Sequence, residues 1–178
     1  MRFALQLLLL VAWALWLGCT GAMFVFAPYL FHRFGIHSDI AKSAANALFI
    51  VFGRYELCLA GLTVLATGML LINFGNKWTP LLLLALICAA GIAVTTTLGF
   101  TPLMESLRAQ GRTDSLPFQR LHKKSVIAMT IQLAVLMASG GLILRCLAQS
   151  LSPSSRSRPS GDANPGALRE TASAAEME

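Results

Sequence analysis

The sequence predicts an all-α membrane protein: a bundle of four transmembrane helices followed by a disordered polar tail. Three observations lead there. Of 178 residues, 56% are hydrophobic and only 12% are charged, too apolar for an ordinary soluble domain of this size. The apolar residues gather into four runs, each long enough for the ~20 residues that cross a bilayer core. From Ser150 onward the composition turns to Ser, Pro, Gly and charge, with too little apolar surface to offset the entropy of ordering. The expected organisation is a transmembrane domain over residues 1–148, with spans near 3–31, 43–74, 80–102 and 122–147. A disordered tail is expected over residues 149–178.

The formal charge of +6 does not point to nucleic acid, because the basic residues stand in loops beside apolar spans. Charge placed there sets topology and meets anionic lipid. The expected partners are the lipid bilayer and either a second copy or another membrane protein. Cys19, Cys58, Cys88 and Cys146 form no CxxC or metal-ligand pattern, and three of them lie inside apolar runs. No disulfide framework, cofactor or metal is expected from them.

The first run resembles a signal peptide at Met1-Arg2 and the Leu-rich stretch that follows, but Trp16 is a poor residue for a lipoprotein-type cleavage site before Cys19. The apolar run also continues through Phe26, so a retained first helix is expected. Gly18 and Ala22, with Gly21, offer a small-residue face for a neighbouring helix. Pro28 should kink or end this helix. Ser38 or Asp39 can cap the second. His32 and His37 read better as interface residues than as metal ligands, since no third ligand lies near them in sequence.

The second run carries Arg54, Tyr55 and Glu56. A charge at the centre of a span costs ~2.5–3.5 kcal/mol on insertion scales, so these residues need partners or an interfacial position. Two residues apart, Arg54 and Glu56 point to different sides of the helix and pair poorly with each other. Gly53, Ala60, Gly61 and Gly68 suggest close packing. Gly75, Asn76 and Pro80 mark a short turn into the third span, with Trp78 as an interfacial anchor. The third span brings Thr95, Thr96 and Thr97 to a bend at Pro102, followed by Glu105, Arg108 and Arg112. Glu105 and Arg54 belong to the same end of the bundle and are candidates to pair. Leu116-Pro117 should break the following loop.

The last span holds the polar stripe around which a site is expected. At about 100° per residue, His122, Ser125, Gln132 and Ser139 share one arc of an otherwise apolar helix. Such a stripe should face protein or water, toward helices two and three. The candidate polar site is therefore Arg54, Glu56, Glu105, Arg108, His122, Ser125 and Gln132, with no catalytic residue assigned. A structural ion pair between helices is the competing reading of the charged members.

Phe118-x-x-Leu121-His122-x-x-Ser125 at the start of the last span resembles the transmembrane-protein-205-like family of integral membrane proteins of unknown function. Ala27-Pro28-x-x-Phe31, Phe52-x-Arg54-Tyr55 and the third span running into Pro102 and Leu107-Arg108 are similar as well. The resemblance spans roughly residues 7–144. In the family pattern an Asn often follows that Ser by four residues; here Met129 takes its place, with Gln132 one turn further on. The resemblance implies a four-helix membrane domain and brings no established activity.

The sequence has no Walker loop, HExxH, GxSxG or zinc motif, and no paired carboxylates within one span. A structural or accessory membrane protein ranks first. A transporter or transport accessory for a small ion or amphiphile, using the polar end of the bundle, ranks second. A haem or metal redox protein ranks last, because His122 is the only histidine near a span interior. Chain size and the lack of eukaryotic sorting signals suggest a bacterial inner membrane. Basic residues divide seven to five in favour of placing loops one and three in the cytoplasm, although Arg2 pulls the opposite way.

Overall fold

The structure, a computed structural model, describes residues 2–35 and 38–151. Every regular element among them is helical: α1 (Arg2–Phe34), α2 (Asp39–Phe74), α3 (Thr79–Val94), a π-helical turn (Thr95–Phe100), α4 (Thr101–Ala109) and α5 (Leu116–Leu151). Four segments are long and apolar enough to cross a membrane, with α3, the π turn and α4 forming one of them. The protein is thus a multi-pass membrane protein. His37 and the tail beyond residue 151 lie outside the described residues.

The connections dictate an antiparallel bundle. Ser38 caps α2 by accepting from the Ala41 amide at 3.4 Å. Asn76 organises the next turn: its Oδ1 accepts from the Trp78 amide at 2.9 Å and the Thr79 amide at 3.1 Å. With so short a link, α2 and α3 must lie side by side. Around the bundle α1 packs on α2, α2 on α3, α3 on α5, and α5 returns to α1. The interior is filled by Leu9, Trp16, Leu70, Leu82, Leu86, Leu136 and Ile143, with Ala60, Ala66, Ala89 and Ala93 where backbones draw near. In lipid this packing holds by close contact and interhelical hydrogen bonds, since lipid tails are as apolar as the core.

Several local expectations change in three dimensions. Pro28 stays inside α1, which continues to Phe34. Gly18 and Gly21 meet nothing within 4 Å, and Gly61 and Gly68 behave likewise, so these small residues do not mediate contacts within the chain. Two glycines do. A Cβ on Gly140 would lie 2.6 Å from Trp13 Cζ2, and one on Gly53 would lie 2.9 Å from Thr97 Cγ2.

Leu116-Pro117 does not delay the last helix, because a proline in the first turn removes only an amide that has no intrahelical partner there. Arg120, Lys123 and Lys124 are therefore helical and exposed. Pro102 has the opposite effect on the third span. Lacking an N–H, it leaves a carbonyl of the preceding turn without its helical donor, and here, unlike at Pro28, the chain widens into the π turn just before it. The Thr101 amide and hydroxyl both donate to the Thr96 carbonyl, the hydroxyl at 3.0 Å.

Candidate functional site

Glu56 is the centre of the polar site. It is buried at 8% exposure, and its Oε1 accepts three hydrogen bonds from two other helices. Trp16 Nε1 donates at 3.2 Å and Thr20 Oγ1 at 2.9 Å, both from α1. Gln132 Nε2 donates from α5. The spacing of four between Trp16 and Thr20 sets both on one face of α1, and the Thr20 hydroxyl is further oriented by the Trp16 carbonyl at 3.0 Å. Several donors converging on one carboxyl oxygen satisfy an acceptor held between three helices. Glu56 Oε2 takes no hydrogen bond among the described residues, and Gln132 Oε1 is buried with none either.

Glu56 lines a cavity of about 100 Å³ at the α1–α2 hairpin end of the bundle. The cavity wall combines Phe31, Phe49, Phe52, Met23, Met104 and Met129 with Asn46, Thr96, Thr97, Arg108, His122 and Ser125. Gly53 belongs to the same wall and lets α2 approach the π turn. Gly53→Ala should destabilise the fold by ~1–3 kcal/mol through overpacking against Thr97. A denaturant titration of the helical signal in detergent would show it, and no loss would mean that Thr97 simply rotates away. A more open hollow of about 250 Å³ adjoins the cavity and shares Met23, Phe31, Phe49, His122, Val126 and Met129 with it. Phe24, Ala27 and Pro28 of α1 complete this second space, which lies between α1 and α5.

At the polar edge, Asn46 links two charged residues of α4. Its Nδ2 donates to Glu105 Oε1 at 3.3 Å, and its Oδ1 accepts from Arg108 Nη1. The Arg108 guanidinium also lies over the Phe118 ring, 5.5 Å from the centroid, and Phe118 stacks on His122 at 6.3 Å.

The structure brings Glu56, Arg108, His122 and Ser125 to one cavity, with Gln132 bonded to Glu56 behind it. Ser125 and Gln132 are buried, as is Ser139 further along the stripe. His122 is largely exposed yet contributes to both cavities. Glu105 is reached through Asn46. Arg54 departs from expectation: it is exposed on the outer face of α2, and Glu105 takes Asn46 as its partner instead. The two-residue offset that turns Glu56 inward turns Arg54 outward. Arg54→Ala should accordingly leave the melting temperature in detergent unchanged, whereas a clear drop would mean that Arg54 clamps the bundle. Sequence reasoning missed Trp16, Thr20 and Asn46. The Trp16/Thr20 spacing was the available signal, since a tryptophan and a threonine one turn apart in a Leu-rich span offer two donors to the same neighbour.

Four apolar helices closed around a buried carboxylate and a cavity at one end define a multi-pass membrane protein with an internal polar site. The chain belongs to the family described as Domain of unknown function (DUF4149), whose model matches residues 11–113, from α1 to the loop after α4. No curated protein and no solved structure gave a match.

Proposed function

We propose that this protein is an accessory membrane protein that binds a small single-chain amphiphile, with the head group in the Glu56 cavity and the tail leaving between α1 and α5. The observation that carries this reading is that the Glu56 cavity, mostly apolar with a few polar groups, shares six wall residues with an apolar, open-sided hollow. A binding site of this kind is mostly apolar with a few placed polar groups.

Depth in the bilayer supports it. Arg2 over Phe74, and Lys77 and Arg145 over Trp78, mark an interfacial belt at one end. About 30 Å further along α2, one hydrocarbon thickness, the chain reaches Arg54. The cavity then lies near head-group level at the opposite end, and the hollow, lined by Pro28, Phe31 and Phe49, opens sideways between α1 and α5 at that same level. Arg54 can extend along the helix toward lipid phosphates. The resemblance to the transmembrane-protein-205-like family is compatible with this reading and assigns no ligand. A bacterial inner membrane remains the proposed location, and a second copy or another membrane protein the proposed partner.

Native mass spectrometry of the purified protein with ten-carbon amphiphiles should give a one-to-one adduct. Met129→Trp, which fills the shared wall, should abolish that adduct while leaving the helical signal intact. If no amphiphile of any charge binds, or if Met129→Trp binds as well as wild type, the reading fails. A purely structural role is the second reading, favoured by the way Glu56 ties α2 to α1 and α5.

A further inference from the structure

We infer that the head group this cavity takes is cationic, specifically a primary alkylammonium; the inference rests on the amphiphile reading above. Its basis is an excess of unused acceptors. Glu56 spends only Oε1 on the protein's own donors, although the residue is more than nine-tenths buried and forms part of the cavity wall. The Gln132 amide bonded to it holds a second buried acceptor, Oε1, that receives nothing among the described residues. Ser125, 8% exposed on the same wall, makes no hydrogen bond among the described residues, although a helical serine ordinarily returns one to the preceding turn. Glu56 Oε2 and the Ser125 hydroxyl are not sealed off, so a group that enters the cavity and supplies donors can meet them, whereas Gln132 Oε1 lies behind the wall.

An alkylammonium supplies three N–H donors and a positive charge. Glu56 and Ser125 both line the cavity that would receive it. Phe31, Phe49 and Phe52 line the same cavity, and aromatic rings in a desolvated setting attract a cation. Arg108 does not cancel the effect. It lines the same cavity, but its guanidinium is bonded to Asn46 and lies over Phe118, and the Glu105 carboxylate bonded to the same Asn46 offsets part of its charge. A carboxylate head group would instead meet Glu56 as a like charge and bring no donor. An alcohol would supply one donor and no charge.

The test compares decylammonium, decanol and decanoate on the full chain in nanodiscs of zwitterionic lipid, with protein-free nanodiscs subtracted for partitioning. Decylammonium should bind at least about tenfold more tightly than either of the others, as a charge-assisted hydrogen bond requires. Glu56→Gln keeps an oxygen for Trp16, Thr20 and Gln132 but removes the charge. It should weaken decylammonium about tenfold and leave decanol unchanged. Ser125→Ala, which touches none of the Glu56 donors, should weaken decylammonium by a few-fold and provides a reading should Glu56→Gln not fold. Equal binding of decanol and decylammonium, both blocked by Met129→Trp, would overturn the cationic assignment while the amphiphile reading stands. Preference for decanoate would overturn it too. Binding of none of the three would overturn both.

Discussion

Glu56→Ala should unfold the bundle far more readily than Glu56→Gln. The alanine leaves Trp16 Nε1 and Gln132 Nε2 without an acceptor in a buried site, while Thr20 keeps the Trp16 carbonyl. Each orphaned buried donor costs roughly 1–3 kcal/mol. Hydrogen bonds between membrane helices often contribute less than in water-soluble cores, because the unfolded chain in lipid also finds partners. A loss of ~3 kcal/mol is therefore expected for Glu56→Ala, against ~1 kcal/mol or less for Glu56→Gln, whose amide oxygen replaces Oε1. Reversible unfolding in mixed micelles, followed by far-UV circular dichroism, would measure both. Tryptophan emission should report on the same event, since Trp16 loses its partner in the alanine variant. If Glu56→Ala proves as stable as wild type, the carboxylate does not tie the three helices together, and a role confined to ligand binding gains weight.

Gly140→Ala is expected to be nearly as damaging, although it adds a single methyl group. Trp13 packs its ring edge against Gly140, with the would-be Cβ 2.6 Å from Cζ2 and 2.8 Å from Cη2. The indole cannot swing aside cheaply. Its N–H is shared between the Leu136 carbonyl and Ser139 Oγ, each at 3.0 Å, and the Ser139 hydroxyl is itself held by the Leu136 carbonyl at 2.7 Å. Relief requires α1 to move away from α5 or the indole to give up its acceptors, at a cost of ~2–3 kcal/mol. Gly141→Ala is the internal control: nothing lies within 4 Å of its would-be Cβ, so stability should not fall. Equal effects of the two substitutions would show that helix propensity, not the Trp13 contact, governs this segment.

The two experiments probe neighbouring parts of one design. Trp13 and Trp16 lie three residues apart on α1, so both reach across the bundle interior. Trp13 bonds the backbone and a serine of α5, and Trp16 bonds the glutamate of α2. A bundle in lipid gains little from burying apolar surface, so polar side chains with definite partners select one arrangement of helices over others. The same arrangement leaves the cavity beside Glu56 open.

The sequence by itself determined the class of protein, the number of spans and the face of α5 that turns inward. Hydropathy is a local property, and a run of ~20 apolar residues has few other uses. Ser125, Gln132 and Ser139 were legible for the same reason, because three polar residues in one arc of an apolar helix have only protein or water to face. The tertiary structure alone decided which polar atoms meet. Arg54 and Glu56 looked equally costly in the chain, yet only Glu56 turns inward, because the azimuth of α2 is set by packing against α1 and α3. Asn46, not Arg54, became the partner of Glu105. Trp16 and Thr20 became donors to a carboxylate on another helix, a relation that periodicity within one segment cannot carry. The lateral opening past Met129 likewise exists only where α1, α2 and α5 converge, since a cavity belongs to the space between helices and not to any one of them.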